Sequence, residues 1–596
     1  MFLSKTRRGG PYRLLAGLVF VAAALVISAT ALAAAAPAPR NPPDQPMLDA
    51  LVQPSEPVEV AGGPVYCVVD IPFAGPVFGP TDAPATTVEL TVRFKHQSGS
   101  PVITVHGFWD GDGAGGTTGG VFRVRFCPTL AGKWFLAEVR SNQSALNGQK
   151  TGGYVTAIPS GKKGFWMPDR QGPGSRWYAR SDGSHAYIVG NTHYSFLSEH
   201  RGTGLASGDF SWDIANNAKY FNKLRFSVVP DRYPHPTSKP FLDNTGRPTD
   251  DGDYSSRPNP AWFHHRVDSA VRTAFDHDVI ADLILNGPDT SEARSVLRAA
   301  QSGGDPTPFL HYIAARYGSY PNVWLCLSNE WNIGSPSYEA ADIARFGQIL
   351  RKFLPYPTPV SVHPNHEWDK ALNSSPPWND HVIVQGKIKT LAEAADFAAA
   401  NRDAGGLPAT ALAAEGGMPV VNDELAYQGD GDGFSREDVI EGFVGTFLGG
   451  GYGTTGFKPA AKRGPYFWGK FNPAEHTAAD HLLWLRTKID SNFTFWKMKP
   501  VDPRASVFPN ANPKFRAMAW PDHEYVIGTD EAQEDIQVKL PPGVWHVWQY
   551  DVIAKDEVRM GAEAVGFCTF DAPPSRAVLT FFKKVVPAGT AAPSAR

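Results

Sequence analysis

The stretch VWLCLSNEWN, residues 323–332, is an apolar run that breaks off at polar residues and at Glu330. Such a short run, without alternation of apolar and polar residues, is typical of a parallel strand buried on both faces. The stretch PVVNDELAY, residues 419–427, has the same form and carries Glu424. Together they predict two strands of one parallel sheet, each of which places a carboxylic acid near its carboxyl end.

Six further stretches of this kind lie around these two, separated by helical patterns. They are HAYIVGNTHYSF (185–196), KLRFSVVPDRY (223–233), DVIADLILNG (278–287), TPVSVHPN (358–365), HVIVQGK (381–387) and GGYGTTGF (450–457). Eight strands that alternate with helices over roughly 280 residues are typical of a TIM (β/α) barrel, whose active site lies at the carboxyl ends of the strands. We therefore predict a TIM barrel over residues 175–499.

A β domain is predicted on each side of this barrel. Residues 58–165 and residues 500–587 contain short alternating strands broken by turn residues, which predicts a β-sandwich in each. The fold class is thus multidomain, a central barrel between two β-sandwiches, of which the second either binds carbohydrate or only supports the barrel. Cys67 and Cys127 lie in the first sandwich and either pair in an oxidising compartment or remain free thiols.

The N-terminus has the pattern of a secretory signal. Within residues 1–36, four basic residues precede an apolar run that ends in alanine-rich sequence. An uncleaved membrane anchor is the alternative, since about 20 apolar residues can span a bilayer. Residues 37–57 are predicted to be a linker and residues 588–596 a disordered tail. We expect a secreted or extracytoplasmic protein, with no membrane partner unless the anchor is retained.

Composition narrows the class of partner. The 596 residues carry 56 basic and 59 acidic side chains, a formal charge of -3, so no global field recruits nucleic acid. Aromatic residues make up 12% of the chain, a content that suits proteins that stack on sugar rings, although core packing accounts for most of them. We expect a carbohydrate partner and no nucleic acid.

No motif for a metal or another cofactor is present. The four cysteines form neither a CxxC pair nor a cluster with histidine at zinc-ligand spacing. Asp110 and Asp112 lie in DGDGAGG, which we interpret as a hairpin turn because the other oxygen ligands of a calcium loop are missing. Asp430 and Asp432, in QGDGDGFSRED, also lack that spacing and are predicted to lie in a solvated loop.

The two glutamates point to glycoside chemistry. Cleavage of a glycosidic bond needs two carboxyl groups that flank one bond, and strands four and seven of a TIM barrel face each other across its mouth. Glu330 and Glu424 meet that need. Asp423 is a rival nucleophile, but strand alternation turns it away from Glu424, which makes it a hydrogen-bonding support instead.

On these residues the chain resembles the clan of retaining TIM-barrel glycosidases, which carry an Asn-Glu pair on strand four and a glutamate on strand seven. The resemblance implies that Glu330 is the acid/base, that Glu424 is the nucleophile, that Asn329 binds the sugar 2-hydroxyl and that Arg225 orients the nucleophile. The segments SVHP, VIVQ and PVVNDE look most like the apiosidase-like glycosidases. The piece GFWDGDG…VFRVRFCPTLAGKWFLAEV resembles an extracellular sandwich domain of unknown function that commonly precedes such barrels.

Other polar residues at strand ends are candidates for substrate binding. They are His193, Tyr194, Arg225, Asp231, Arg232, Trp331, His363, Gln385 and Tyr427. His363 could instead be a core histidine. Trp331 and Tyr427 either form a platform for a sugar ring or pack at the rim.

The sequence thus predicts a secreted glycoside hydrolase that acts on a polysaccharide or oligosaccharide by a retaining mechanism. A second carboxylate nearby would raise the pKa of Glu330 and give a bell-shaped pH profile. The alternative is an inactive carbohydrate-binding or surface-binding protein on the same scaffold.

Overall fold

The computed structural model describes residues 57–585, except for 170–175, 195–196, 198–209, 230–238, 287–294, 298–304, 334–337, 403, 407–408, 410–417, 460–470 and 561–565. The predicted signal segment, all of the linker but its last residue and the C-terminal tail lie outside the described residues. So do Asp231 and Arg232. Within the described part of the chain, no helix has the length and apolarity that crossing a membrane requires.

A sandwich-like β domain comes first. Its strands are β1 (Glu59–Pro64), β2 (Val69–Phe78), β3 (Leu90–His96), β4 (Val102–Trp109), β5 (Gly119–Phe126), β6 (Gly132–Ser141) and β7 (Tyr154–Ile158), with helix α1 (Pro84–Thr87) after β2. They pair in the order β1-β7-β6-β3-β4-β5-β2. Alternate residues of β3 are buried, so Val92 and Phe94 pack with Trp134 in a separate core.

This domain contains the predicted turn at Asp110 and Asp112 and the cysteines Cys67 and Cys127. The Asp112 carboxylate accepts hydrogen bonds of 2.8 Å from the backbone N–H groups of Ala114 and Gly116, which closes a turn between β4 and β5, as the sequence predicts. Cys67 and Cys127 are free thiols.

A parallel, barrel-like sheet of eight strands follows a small hairpin, β8 (Trp166–Pro168) and β9 (Tyr178–Arg180). Its strands are β10 (Val189–Thr192), β11 (Lys223–Ser227), β14 (Ile280–Ile284), β15 (Val323–Cys326), β16 (Val360–Ser361), β17 (Val382–Val384), β18 (Val420–Gln428) and β19 (Gly451–Phe457). Between β11 and β14 lies a short hairpin, β12 (Phe241–Leu242) and β13 (Pro248–Thr249). Each of the eight strands lies within or overlaps one of the predicted stretches, so the prediction of a TIM-barrel-like fold is confirmed.

The order β16-β15-β14-β11-β10-β19-β18-β17 leaves β16 and β17 at its two ends. The backbone N–H of Asp380, just before β17, donates to Val360 O at 2.8 Å and joins those ends. The helices around the sheet are α2 (Phe210–Asn217), α3 (Pro260–Trp262), a π-helix (Phe263–Val267), α4 (Asp268–Asp276), α5 (Thr307–Tyr317), α6 (Ala340–Phe353), α7 (Leu391–Arg402), α8 (Arg436–Leu448) and α9 (Ala478–Asn492).

Helix α8 illustrates how local sequence sets these bounds. Ser435 and Asp438 form a capping box, in which each side chain accepts the backbone N–H of the other. At its other end, a Cβ on Gly445 would lie 2.2 Å from Leu391 O, so only glycine allows α7 and α8 to pack this closely.

A second β domain closes the chain. Its strands are β20 (Lys499–Val501), β21 (Arg516–Trp520), β22 (Glu524–Thr529), β23 (Gln533–Lys539), β24 (Trp545–Asp551), β25 (Asp556–Arg559), β26 (Phe567–Ala572) and β27 (Val578–Lys584). They form an antiparallel sheet, β20-β21-β22-β27-β24-β25, and a pair, β23-β26. Ala517 and Ala519 face the core between these two layers, while Met518 faces the barrel core. One face of the larger sheet therefore supports the barrel.

A buried ion network joins the first β domain to the barrel. Arg125 on β5 and Arg316 on α5 both bind the carboxylate of Asp268 on α4, with bonds of 2.5–3.0 Å. Arg316 also donates to Asp110 at 2.8 Å. All four side chains are buried. Burial would raise the pKa of Asp268, but the two guanidinium groups outweigh it and hold that pKa far below its usual range.

This network predicts a pH-dependent loss of stability in Asp268→Asn. The variant leaves two buried cations undercompensated, so we expect a loss of about 3–5 kcal/mol in free energy of unfolding near pH 7. Because the folded pKa is depressed, the stabilisation is complete above the unfolded pKa near 4 and is lost as pH falls. Urea denaturation at several pH values should therefore show the gap to wild type closing below about pH 4.

Asp396→Asn is the matched control, since Asp396 binds Arg516 but its side chain is 62% exposed. We expect it to cost less than about 1 kcal/mol. Equal losses in the two variants would contradict this account of the domain interface.

Candidate active site

Glu330 stands in a tight turn just past β15. Its backbone has φ of +41°, in the left-handed region, which a non-glycine residue adopts only when its surroundings enforce it. The enforcing contacts come from His363, two residues past β16: its backbone N–H donates to Ser328 O at 3.0 Å, and the Glu330 N–H donates to His363 Nδ1 at 3.4 Å. The acid predicted on strand four is therefore held in a strained turn at the carboxyl end of its strand.

The strand that carries Glu424 is irregular at that residue. The pairing of β18 with β19 shifts between Asn422 and Ala426, so regular alternation is interrupted. As a result both Asp423 and Glu424 approach inward-facing side chains of β11, Lys223 and Arg225. The expectation that Asp423 turns away from Glu424 is wrong, because it assumed an unbroken strand.

Glu424 is buried among polar partners. The Tyr194 hydroxyl donates to its Oε1 at 2.5 Å, and Arg225 Nη1 lies 3.5 Å from the same oxygen. Lys387 Nζ lies 3.8 Å from the other oxygen, Oε2. Each oxygen of the carboxylate thus faces a different cation.

Arg225 contacts residues next to both glutamates. It is fully buried, it donates to the Tyr194 hydroxyl at 3.0 Å, and it also donates to Asn329 Oδ1. Burial would lower its pKa, but Tyr194, Asp423 and Glu424 outweigh that effect and raise the pKa well above its usual range. The guanidinium therefore remains charged and joins strands two, four and seven.

Tyr194 contacts Glu424 and also lies 3.5 Å from Oδ1 of Asn329, the residue before Glu330. Burial raises the pKa of its hydroxyl well above the usual range, and the carboxylates of Glu424 and Glu330 raise it further, against the opposing effect of Arg225. Tyr194 is therefore a neutral phenol whose hydroxyl donates a hydrogen bond to Glu424. Both glutamates lie within electrostatic reach of this one oxygen.

Asp423 belongs to a layer below the mouth. Lys223 Nζ lies 2.5 Å from Asp423 and 2.7 Å from Asp282, and the Thr454 hydroxyl donates to Asp423 at 2.6 Å. Burial would raise the pKa of Asp423, but Lys223 and Arg225 lower it to about 2. The Oδ1 of Asp423 is engaged in this ion pair. Glu424 is therefore the carboxylate of strand seven that lies nearest the mouth of the barrel.

Four predicted binding residues present polar atoms without a partner among the described residues. These atoms are buried: His363 Nε2, Gln385 Oε1, Trp331 Nε1 and the Tyr427 hydroxyl. All four residues lie at or just past the carboxyl ends of β15 to β18. A buried polar atom without a hydrogen bond costs about 1–3 kcal/mol, so such a group suits a polar ligand.

His363 is neutral in this setting. Burial lowers its pKa well below the usual range, with Arg225 and Lys387 contributing in the same direction. Because its Nδ1 accepts the Glu330 N–H, the proton is assigned to Nε2. Nε2 of His363 is therefore a hydrogen-bond donor in the interior of the barrel.

His193 is not brought to this cluster. Its Nδ1 lies 3.0 Å from Asp213 on α2, and the neighbouring Asn191 also faces α2, where it donates to Asn217 at 2.6 Å. Alternation along the strand therefore turns His193 outward and the next residue, Tyr194, inward. Of these two predicted binding residues, Tyr194 therefore lies beside Glu424, whereas His193 lies beside Asp213.

Sequence reasoning missed Lys387 and misjudged Asp432. Lys387 Nζ lies 3.3 Å from Asp432 Oδ2, and the Asp432 side chain is only 11% exposed, so it is not the solvated residue expected. Lys387 follows strand six by the same rule that selected Gln385 and could have been found. The pairing of Asp432 depends on how its loop folds back, which no local pattern reveals.

Within the part of the chain that the structure describes, no group of three or more His, Cys, Asp or Glu side chains is arranged to hold a metal ion.

Comparison with known proteins assigns two segments. The model of the apiosidase-like catalytic domain matches residues 174–455, and that of the domain of unknown function DUF5060 matches residues 64–136. No curated protein sequence matches the chain.

Solved structures show the same architecture. The chain is similar to a candidate glycoside hydrolase from Bacteroides vulgatus, with a TM-score of 0.67 and 20% identity over 88% of this chain and 100% of that one. It is also similar to a glycoside hydrolase family 5 protein from Bacteroides vulgatus, with a TM-score of 0.55 and 13% identity over 72% and 96% of the two chains. At these identities the likeness is one of fold. Residues 174–455 therefore match the apiosidase-like catalytic domain and residues 64–136 match DUF5060, on a glycoside-hydrolase-like fold.

Proposed function

We propose that this chain is a secreted glycoside hydrolase that cleaves O-glycosidic bonds in a polysaccharide or its side chains with retention of configuration. The observation that carries the proposal is that the Tyr194 hydroxyl donates to Glu424 at 2.5 Å and lies 3.5 Å from Oδ1 of Asn329, the residue that precedes Glu330. Two carboxyl groups around one small space are what a double displacement at an anomeric carbon requires.

Glu424 is assigned as the nucleophile. The phenol of Tyr194 and the cation of Arg225 both stabilise negative charge on its carboxylate. In the first step its oxygen forms a bond to the anomeric carbon while the bond to the departing oxygen breaks. Burial of the carboxylate limits competing reactions with bulk water.

Glu330 is assigned as the acid/base. It is less buried than Glu424, so it can exchange protons with solvent between the two steps. It protonates the departing oxygen in the first step. In the second step it takes a proton from the water that attacks the glycosyl-enzyme bond and regenerates Glu424. A raised pKa for Glu330, and hence a bell-shaped pH profile, remains a prediction of this assignment.

Asn329 is assigned to the sugar 2-hydroxyl. Its Oδ1 accepts from Arg225, which fixes the orientation of the amide and leaves the amide nitrogen to donate. A hydrogen bond to this hydroxyl strengthens in the transition state of glycosidases.

The substrate is proposed to be a carbohydrate chain. The unpartnered atoms of His363, Gln385, Trp331 and Tyr427 offer donors and acceptors for sugar hydroxyl groups, and the two aromatic rings offer surface for a sugar face. Export follows from the signal pattern in residues 1–36 and suits a polymer that cannot enter a cell.

Azide rescue tests the two catalytic assignments. On a panel of 2,4-dinitrophenyl glycosides, which need no acid to depart, Glu424→Gly should lose about 10³-fold or more in turnover. Added azide should restore activity in Glu424→Gly and give a glycosyl azide of inverted configuration. In Glu330→Ala, azide should give a glycosyl azide of retained configuration, because Glu424 still forms the intermediate.

The two variants control each other, since only their opposite product configurations distinguish nucleophile from acid/base in NMR spectra. Wild-type protein that turns over no glycoside in the panel would favour a binding protein on this scaffold and sink the enzymatic assignment.

A second prediction concerns Arg225. Lysine keeps the charge but cannot donate to Tyr194 and Asn329 together, so Arg225→Lys should lower kcat/KM by about 10²-fold. Arg345→Lys, at an exposed site on α6, should leave kcat/KM within about twofold of wild type as the matched control. Comparable kcat/KM values in wild type and Arg225→Lys would contradict the orienting role.

A further inference from the structure

We propose that Lys387 is a positioning residue that stabilises the negative charge of the Glu424 carboxylate, and that Asp432 keeps Lys387 in place. The inference rests on the proposed role of Glu424 as the nucleophile. It assigns a function to a cation just past β17 and to a loop beyond β18.

The two oxygens of Glu424 have different surroundings. Oε1 accepts from Tyr194 and lies near Arg225, so its negative charge is already engaged. Oε2 lies 3.8 Å from Lys387 Nζ and is the oxygen left to attack. Lys387 therefore acts on the reactive oxygen, whereas Arg225 acts on the other one.

Lys387 is held by contacts on several sides. Its Nζ lies 3.3 Å from Asp432 Oδ2 and 5.3 Å from the centre of the Tyr427 ring, a distance typical of a cation–π contact. Asp432 is fixed in turn by Lys458, whose Nζ lies 2.5 Å from its other oxygen. With 35% of its side chain exposed, Lys387 would have many alternative positions without these contacts.

The loop that carries Asp432 is built to a defined shape. Gly429 N–H donates to Phe434 O at 2.9 Å, and Gly431 N–H donates to Lys458 O at 2.9 Å. Gly429 and Gly433 have φ of +121° and +69°, which glycine adopts without strain. The loop therefore presents Asp432 to Lys387 without a further ordering cost.

Charged and titratable groups approach Glu424 from four strand ends. They are Tyr194 after β10, Arg225 on β11, Lys387 after β17 and Tyr427 on β18. Of the two cations, Arg225 is fully buried and shared with Tyr194 and Asn329, while Lys387 stands on the solvent side. Removal of Lys387 thus leaves the solvent side of the carboxylate uncompensated.

An opposite charge within about 4–6 Å lowers a carboxyl pKa by about 1–3 units. In the first chemical step, Glu424 forms a bond to the anomeric carbon as the leaving oxygen departs with its electron pair, which only the carboxylate form can do. A 2,4-dinitrophenolate departs without a proton, so the acid limb of kcat/KM for such substrates reports ionisation of the nucleophile.

The test measures kcat/KM from about pH 4 to about pH 8 on the 2,4-dinitrophenyl glycoside panel. In Lys387→Met the acid limb should move to higher pH, with a loss of about tenfold below the limb and less than about twofold on the plateau. Lys387→Arg, which keeps the charge, should restore the limb to within about 0.3 unit of wild type.

Lys389→Met is the matched control. Lys389 lies two residues along and its Nζ donates to Gly433 O at 2.6 Å, in the same loop, but it pairs with Asp438 and not with Glu424. Its acid limb should coincide with that of wild type. An unshifted limb in Lys387→Met, or an equal loss at every pH, would overturn the proposal. Inactive wild-type protein would instead overturn the proposed function, and this inference with it.

Discussion

Two cations on a single barrel strand, Lys223 and Arg225, are the constraint on which the site depends. Both are fully buried inside the barrel, and a buried charge without a partner costs several kcal/mol. The neighbouring strands must therefore direct anions inward: Asp282 and Asp423 toward Lys223, and Glu424 toward Arg225. The interruption of β18 between Asn422 and Ala426 follows from this demand, since an unbroken strand would turn one of two successive acids outward. Charge compensation thus places Glu424.

The interior consequently has two layers with different tasks. In the lower layer, the Lys223 ion pairs satisfy one another and close the barrel under the site. In the upper layer, the cation of Arg225 is shared among Glu424, Tyr194 and Asn329, so no single partner neutralises it. The candidate reactive groups lie where their charges are only partly compensated. Such groups retain the capacity to interact with a substrate.

A second buried network links the flanking domain to the same chemistry. Arg316 lies near the end of α5, only a few residues before β15, the strand that leads to Glu330. Through Asp268 and Asp110 it is tied to the first β domain. The first β domain therefore docks on the helix that leads into the strand before Glu330, while the second β domain supports the barrel from another side through Met518 and its neighbours on the same sheet face. Both flanking domains help to fix strands whose ends carry the site.

The sequence by itself determined the eight strands and the positions of Glu330 and Glu424 along them, because a short apolar run that ends in polar residues is a local signal of a buried parallel strand. Tertiary structure alone decided which way several side chains point. It turned His193 toward α2 and Tyr194 inward, and it brought Asp432 back to Lys387. The physical reason is that the tendency of a residue to be buried depends on its own side chain, whereas the partner of a buried or half-buried charge comes from a distant strand or loop. The regular alternation of a strand is also interrupted where compensating a buried charge stabilises the fold more than an unbroken ladder of hydrogen bonds.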